Sequence, residues 1–248
     1  MNDPMNRNER NSALETDGFY AVPAAPAIPL LGDRSVFITR TYLTLLGAIL
    51  AFVGLEVAIF QSGYAESIAG ALLGGRSSWL VVLGGFVLVS WLATKVTQTA
   101  ESLALQYLAL AGFVVAEALI FVPLLYIAEH YAPGAIQSAA LATLLGFGGL
   151  TLVAWGTRKD FSFLRGILLF AGVVAMVTIL CSFIFGFTLG TFFSAAMVAV
   201  AGASILYDTS NIIHHYPSNR YVSAALSLFA SVALMFWYIL RILSASRR

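Results

Sequence analysis

Residues Gly166 to Tyr207 read GILLFAGVVAMVTILCSFIFGFTLGTFFSAAMVAVAGASILY, 42 positions without one charged side chain. At about 1.5 Å of rise per residue this stretch would make a helix of roughly 63 Å, about twice the hydrocarbon thickness of a bilayer. It is therefore read as two membrane crossings. The break is placed at Gly186-Phe187-Thr188-Leu189-Gly190, where two glycines permit a tight turn.

Outward from this pair, charge-free runs mark five further spans: Thr41 to Phe60, Trp79 to Thr94, Leu103 to Ile127, Ile136 to Gly156 and Val222 to Leu243. With 60% hydrophobic and 10% charged residues and a mean hydropathy of +0.89, the chain is too apolar for a soluble protein. The fold class is an all-α integral membrane protein with seven transmembrane helices, and the lipid bilayer is its first partner. The 13 Lys and Arg against 12 Asp and Glu leave a net charge of +1, which gives no reason to expect a nucleic-acid partner. Cys181 is the single cysteine, so no internal disulfide forms and its role is packing.

Residues 1–36 are a different material from residues 37–248, the seven-helix membrane domain. Five acids (Asp3, Glu9, Glu15, Asp17, Asp33) alternate with Arg7, Arg10 and Arg34, and four of the seven prolines fall by Pro29. The segment reads as a flexible, solvated tail, with docking to a partner as the alternative. It has neither the apolar core of a secretory signal nor the acid-poor composition of a transit peptide. With the N-terminus cytoplasmic, inner segments hold nine of the 13 basic residues (Arg7, Arg10, Arg34, Arg40, Lys95, Arg158, Lys159, Arg165, Arg220) and outer segments four (Arg76, Arg241, Arg247, Arg248). That asymmetry favours this orientation. Trp79 and Trp155 lie at span ends, where aromatic belts form. Short loops and the lack of a retention or transit signal lean toward a bacterial inner membrane.

Three carboxylates lie inside spans, Glu56, Glu117 and Asp208. A charge at the bilayer centre costs at least about 2.5 kcal/mol, so each needs a partner, a proton or a water-lined cavity. Glu56 and Glu117 lie 15 and 14 residues into outward-running helices, roughly 21 to 23 Å along them, a shared level that allows a hydrogen-bonded pair. The plainer reading is that each bonds nearby backbone or hydroxyl groups. Pro123 frees the carbonyl of Leu119, which a neighbouring helix or water can satisfy. Asp208 belongs to Tyr207-Asp208-Thr209-Ser210-Asn211, a polar cluster ending the sixth span, with His214 and His215 in the loop beyond. Burial disfavours its charge and the adjacent donors favour it, so the cluster is a candidate for binding, gating or pH sensing. The alternative is an interfacial aspartate bonded to local backbone.

Three segments carry a family resemblance: Ile205 to Ile213, the loop Thr157-Arg158-Lys159-Asp160-Phe161-Ser162-Phe163-Leu164, and the ending from Ala225-Leu226-Ser227-Leu228-Phe229 to Leu240-Arg241-Ile242-Leu243. Together, in order and at the expected spans, they resemble the Bax inhibitor-1 family. The resemblance implies a bundle whose last helix is central and wrapped by the other six. It also implies, from some members, a pH-sensitive calcium leak controlled by two aspartates that share a proton when closed. Asp208 falls on the first of these. The second, expected in a pattern like Leu-Tyr-Leu-Asp-x-Ile-Asn-Leu-Phe, is replaced by Ser231 in Leu228-Phe229-Ala230-Ser231-Val232-Ala233-Leu234-Met235-Phe236, and Leu234 replaces the asparagine. A serine can donate to Asp208 but cannot share an acidic proton with it.

The same residues weigh other classes. A tight calcium site wants six to eight oxygens and several carboxylates, against three acids on two levels; a low-affinity path past Asp208 needs less. A retinal protein would need a lysine in the last span, and the lysines are Lys95 and Lys159. An intramembrane aspartyl protease needs a second aspartate, and serine or zinc chemistry a histidine inside the membrane, whereas the histidines are read as loop residues. No catalytic residue, metal ligand set or cofactor is assigned. Two functions remain: a pH-sensitive leak for calcium or other cations, with Asp208, Ser231, Glu117 and Glu56 along its pathway, and a non-conducting regulator that binds another membrane protein such as a quality-control protease.

Overall fold

The computed structural model describes residues 31–247, and within them the chain folds into eight helices and no strand. These are α1 (Leu31–Gln61), α2 (Ala65–Leu73), α3 (Arg76–Thr99), α4 (Leu103–Tyr131), α5 (Ala135–Thr157), α6 (Leu164–Phe185), α7 (Thr191–His214) and α8 (Tyr221–Ser246). All but the nine-residue α2 are long and apolar enough to cross a membrane. The long apolar stretch divides as expected: Gly186 ends α6 at φ +74°, a left-handed turn open to glycine at little strain, and α7 starts at Thr191.

The helices outrun their charge-free cores because a helix keeps its own backbone satisfied beyond the hydrocarbon. α1 starts at Leu31, inside the segment expected to be tail; the rest of that tail, residues 1–30, lies outside the described residues. α3 continues through Lys95, whose ammonium lies 4.9 Å from the Trp91 ring centre, and α4 carries Pro123 internally and runs on to Tyr131. His130 and His214 consequently sit in the last turns of α4 and α7, not in loops. The unexpected element is α2. Its Glu66 and flanking glycines read as loop, yet Ala65 and Ala69 bury against Val122 of α4.

α8 occupies the centre, packed along α1, α3, α4, α5 and α7. α6 rests mainly on α7 and meets α8 through a cluster of Ala175, Met197 and Tyr238. The expectation of a wrapped last helix holds. Small residues are buried at the helix contacts, Ala201 and Gly202 on α7 and Ala224 and Ala225 on α8, as expected where dispersion replaces the hydrophobic effect as the force between helices in lipid. A Cβ on Gly202 would meet Leu150 at 3.3 Å and Met235 at 3.6 Å. At mid-bundle the fully buried Phe121 ring lies 5.1 Å from Phe52, 5.6 Å from Phe236 and 4.9 Å from Trp237, an aromatic core linking α1, α4 and α8. By contrast α6 buries Ala175 and turns Leu169, Phe170 and Phe185 outward, as a lipid-facing helix does.

Hydrogen bonds define two ends. Arg34 at the start of α1 reaches the end of α7, and Arg220 before α8 donates to Ala100 between α3 and α4, so these termini share one end, termed proximal. At the opposite, distal end Arg241 donates to the carbonyl of Leu189 (2.6 Å) and Arg247 to that of Pro133.

Candidate functional site between the last two spans

Asp208 lies on α7 about one and a half turns before its end and is 9% exposed; the next two residues, Thr209 and Ser210, are fully buried. Across from it on α8, the Ser231 hydroxyl donates to Asp208 Oδ2 at 2.6 Å. The structure thus brings together two residues 23 apart that the sequence had placed on different helices. The bond is short, as expected for a donor on a carboxylate. With a serine as partner, one hydroxyl holds the two helices together where a second acid would bring a second charge.

The turn after Asp208 anchors a loop. Ser210 Oγ accepts from the backbone N–H of Phe161 (2.9 Å) and lies 3.4 Å from the carbonyl of Lys159, tying α7 to the connection between α5 and α6. His214 Nδ1 lies 3.0 Å from the Ser210 carbonyl. In the connection, Asp160 accepts from the Ser162 N–H at 2.9 Å and meets His215 Nε2 at 3.3 Å. The Ser162 N–H, aided by the histidine ring, holds the Asp160 carboxyl below the ordinary aspartate range. Tyr216, beyond α7, bonds Ser227 at 3.2 Å; burial pushes its phenol up, and the nearby Asp208 carboxylate adds to the shift.

Arg34 was not singled out by its sequence context. Its guanidinium donates to the carbonyls of Ile212, Ile213 and Tyr216, and it lies 5.0 Å from the ring centre of the fully buried Phe37. It caps the carbonyl-rich end of α7, where a cation also complements the helix dipole. A basic residue at a span start hints only at an interfacial anchor, since the acceptors it meets lie almost 180 residues away. Ser210 was part of the quoted cluster, but nothing local pointed to its bond with Phe161.

Glu56 and Glu117 are both buried, at 7% and 6% exposure. Thr44 of α1 faces Tyr107 of α4 at an offset of 63 residues, so the glutamates, 117 − 56 = 61 apart, stand at nearly one level, as expected. They are not joined. Neither Glu56 oxygen nor Glu117 Oε2 has a hydrogen-bond partner among the described residues. Glu117 lines a cavity of about 620 Å³ between α3, α4, α6 and α8, and Arg241, at the distal end, belongs to the same lining. Among the described residues no three Asp, Glu, His or Cys side chains converge as a metal site would require.

Seven apolar helices gathered about a buried last one, with a carboxylate–hydroxyl bond between the final two, define a multi-pass helical membrane protein with a polar site near one end. Over residues 34–248 the chain matches the family described as Inhibitor of apoptosis-promoting Bax1, and it belongs to this Bax inhibitor-1 family. Among its relatives, Uncharacterized protein PA2604 of Pseudomonas aeruginosa is 35% identical over 165 residues, which are 65% of this chain and 72% of that protein. The Modulator of FtsH protease YccA of Escherichia coli K12 is 33% identical over 114 residues, 46% of this chain and 52% of YccA. The Golgi anti-apoptotic protein of Vaccinia virus strain Lister is 28% identical over 141 residues, 56% of this chain and 58% of its own length.

Proposed function

We propose that this protein is a non-conducting membrane regulator that acts by binding another membrane protein, with a quality-control protease as the partner class. The observation that carries the reading is the Asp208–Ser231 bond: the position where a second acid would complete a titrating pair holds a serine donating at 2.6 Å. A cation passing Asp208 would also meet Arg165, Arg220 and His215 around the adjoining proximal cavity, a lining that repels rather than attracts it. The relative named Modulator of FtsH protease supports the partner class. A bacterial inner membrane fits the relative named Inner membrane protein YccA, and a cytoplasmic N-terminus fits the nine-to-four distribution of basic residues. No catalytic role is assigned to any residue.

A second reading is kept for one observation: Tyr207 and Asn211, flanking Asp208 on α7, line that same cavity, so a path past Asp208 would have a hydrated entrance for calcium, another cation or protons. The deciding experiment is ion flux into liposomes holding the purified protein, with Asp208→Asn and Ser231→Asp beside the native chain. The regulator reading expects no calcium or proton flux from the native protein between about pH 5 and pH 8, and pH-gated flux from Ser231→Asp. Native flux abolished by Asp208→Asn overturns it. In parallel, affinity capture from membranes is expected to recover a membrane-bound protease.

A further inference from the structure

The proximal cavity is an open depression of about 470 Å³ with a mixed polar and apolar lining. Arg165 and Arg220 bring two full positive charges to its lining, His215 a third group able to carry one, and Gln98 and Asn211 supply amide donors. No carboxylate lines it. Of the acids close by, Asp208 is held by Ser231, and Asp160 is engaged at the rim with the Ser162 N–H and the His215 ring, which among the described residues is the single ion pair. Arg220 donates from one guanidinium nitrogen to the Ala100 carbonyl and lines the cavity. Neither arginine is paired with a described carboxylate.

A second feature lies at the same cavity. Ser223, in the first turn of α8, is 1% exposed and lines the cavity beside the Tyr216 phenol, and its hydroxyl makes no well-formed hydrogen bond among the described residues. A buried hydroxyl so placed can donate to an acceptor brought into the cavity, a bond worth about 1 kcal/mol. α6 and α8 both begin at this cavity, and the first-turn N–H groups of a helix favour an anion by direction and by dipole.

We infer that the proximal cavity is a binding site for a phosphate-bearing anion, held by Arg165 and Arg220 as counter-charges with Ser223 as a buried donor. The group can arrive on the headgroup of an anionic phospholipid or on a free phosphate ester. The site is separate from the Asp208–Ser231 bond but shares α7 and α8 with it, so an occupant would brace the two helices at the turn that holds Asp208.

The test uses the full chain in detergent, with thermal stabilisation and native mass spectrometry read against added phosphatidylglycerol, phosphatidylcholine, glycerol phosphate and inorganic phosphate. Phosphatidylglycerol is expected to bind at least tenfold more tightly than phosphatidylcholine, in a salt-dependent manner. Arg165→Gln should weaken that binding at least fivefold and Ser223→Ala at least twofold. If glycerol phosphate or inorganic phosphate stabilises the protein and competes with the lipid, the free ester is the source; if only the lipid binds, the headgroup is. Ser162→Asp, which sets a carboxylate at the exposed rim, provides a second variant should Arg165→Gln fail to fold, and it too should abolish the preference. Equal binding of both lipids, or anion binding unchanged in folded Arg165→Gln or Ser162→Asp, overturns the proposal.

Discussion

The Ser231 hydroxyl donates to a carboxylate that is 9% exposed, so removing it strands the acceptor as well as losing the bond. Interhelical bonds in membranes average about 0.6 kcal/mol and reach about 1.7, and this one should lie in the upper part of that range. Ser231→Ala is therefore expected to destabilise the bundle by about 1 to 2 kcal/mol, seen as a midpoint a few degrees lower in detergent; an unchanged midpoint would show that the bond contributes nothing. Arg34 satisfies three carbonyls at the end of α7. Arg34→Gln should cost about 2 kcal/mol and raise amide exchange over residues 212–216 well before the rest of α7 loosens. For Asp160, whose folded-state value is depressed chiefly by the Ser162 N–H, the contribution is present above the unfolded carboxylate range and lost as pH falls through the lower folded value. The stability gap between the native protein and Asp160→Asn should be present at about pH 5 and close below about pH 4. The group is exposed, so the gap is small. A gap that widened below about pH 4 would reverse the assignment.

Among the helices, the turn at Gly186 has a backbone angle that a branched residue resists by about 1 to 2 kcal/mol. α6 rests mainly on α7, so Gly186→Val should loosen α6 and leave the centre intact. The expected readout is several-fold faster maleimide labelling of Cys181, which lies half-buried on α6, with the α7–α8 pairing unaltered; unchanged labelling would mean α6 is held by more than its contact with α7. The element the charge-free runs missed, α2, shows the limit of that signal. Nine residues with Glu66 and two flanking glycines are too short and too polar to read as a span, and α2 exists because Ala65 and Ala69 find Val122. The span ends failed in the same direction: charged Arg40, Lys95 and Glu129 closed the apolar windows while the helices ran through them.

As a whole, seven apolar helices run from Leu31 at the proximal end to Ser246 at the distal end, so the described segment would begin and end on opposite faces of a membrane. Reporter fusions should be active on the cytoplasmic side when placed at the N-terminus and on the far side when placed after Ser246; both on one side would remove a span. The bundle is asymmetric in its burial. α8 and α4 carry the core while α6 stands at the periphery, which leaves the cavity beside Glu117 open between α3 and α6.

Span number, membrane class and family were legible in the chain because a bilayer imposes a one-dimensional rule: about 20 apolar residues per crossing, with every backbone group satisfied inside its own helix. The 42-residue stretch from Gly166 to Tyr207, read with that rule, already implied the turn at Gly186. What each buried polar group touches was not legible. A helix apolar on every face carries no periodic signal of which side meets its neighbours, and rotation about its axis is settled by small-residue packing between segments far apart in the chain. That packing joined Ser231 to Asp208, and it aimed Arg34 at the end of α7. It left Glu56 and Glu117 level but unbonded, and it set Arg165, Arg220 and Ser223 around one cavity.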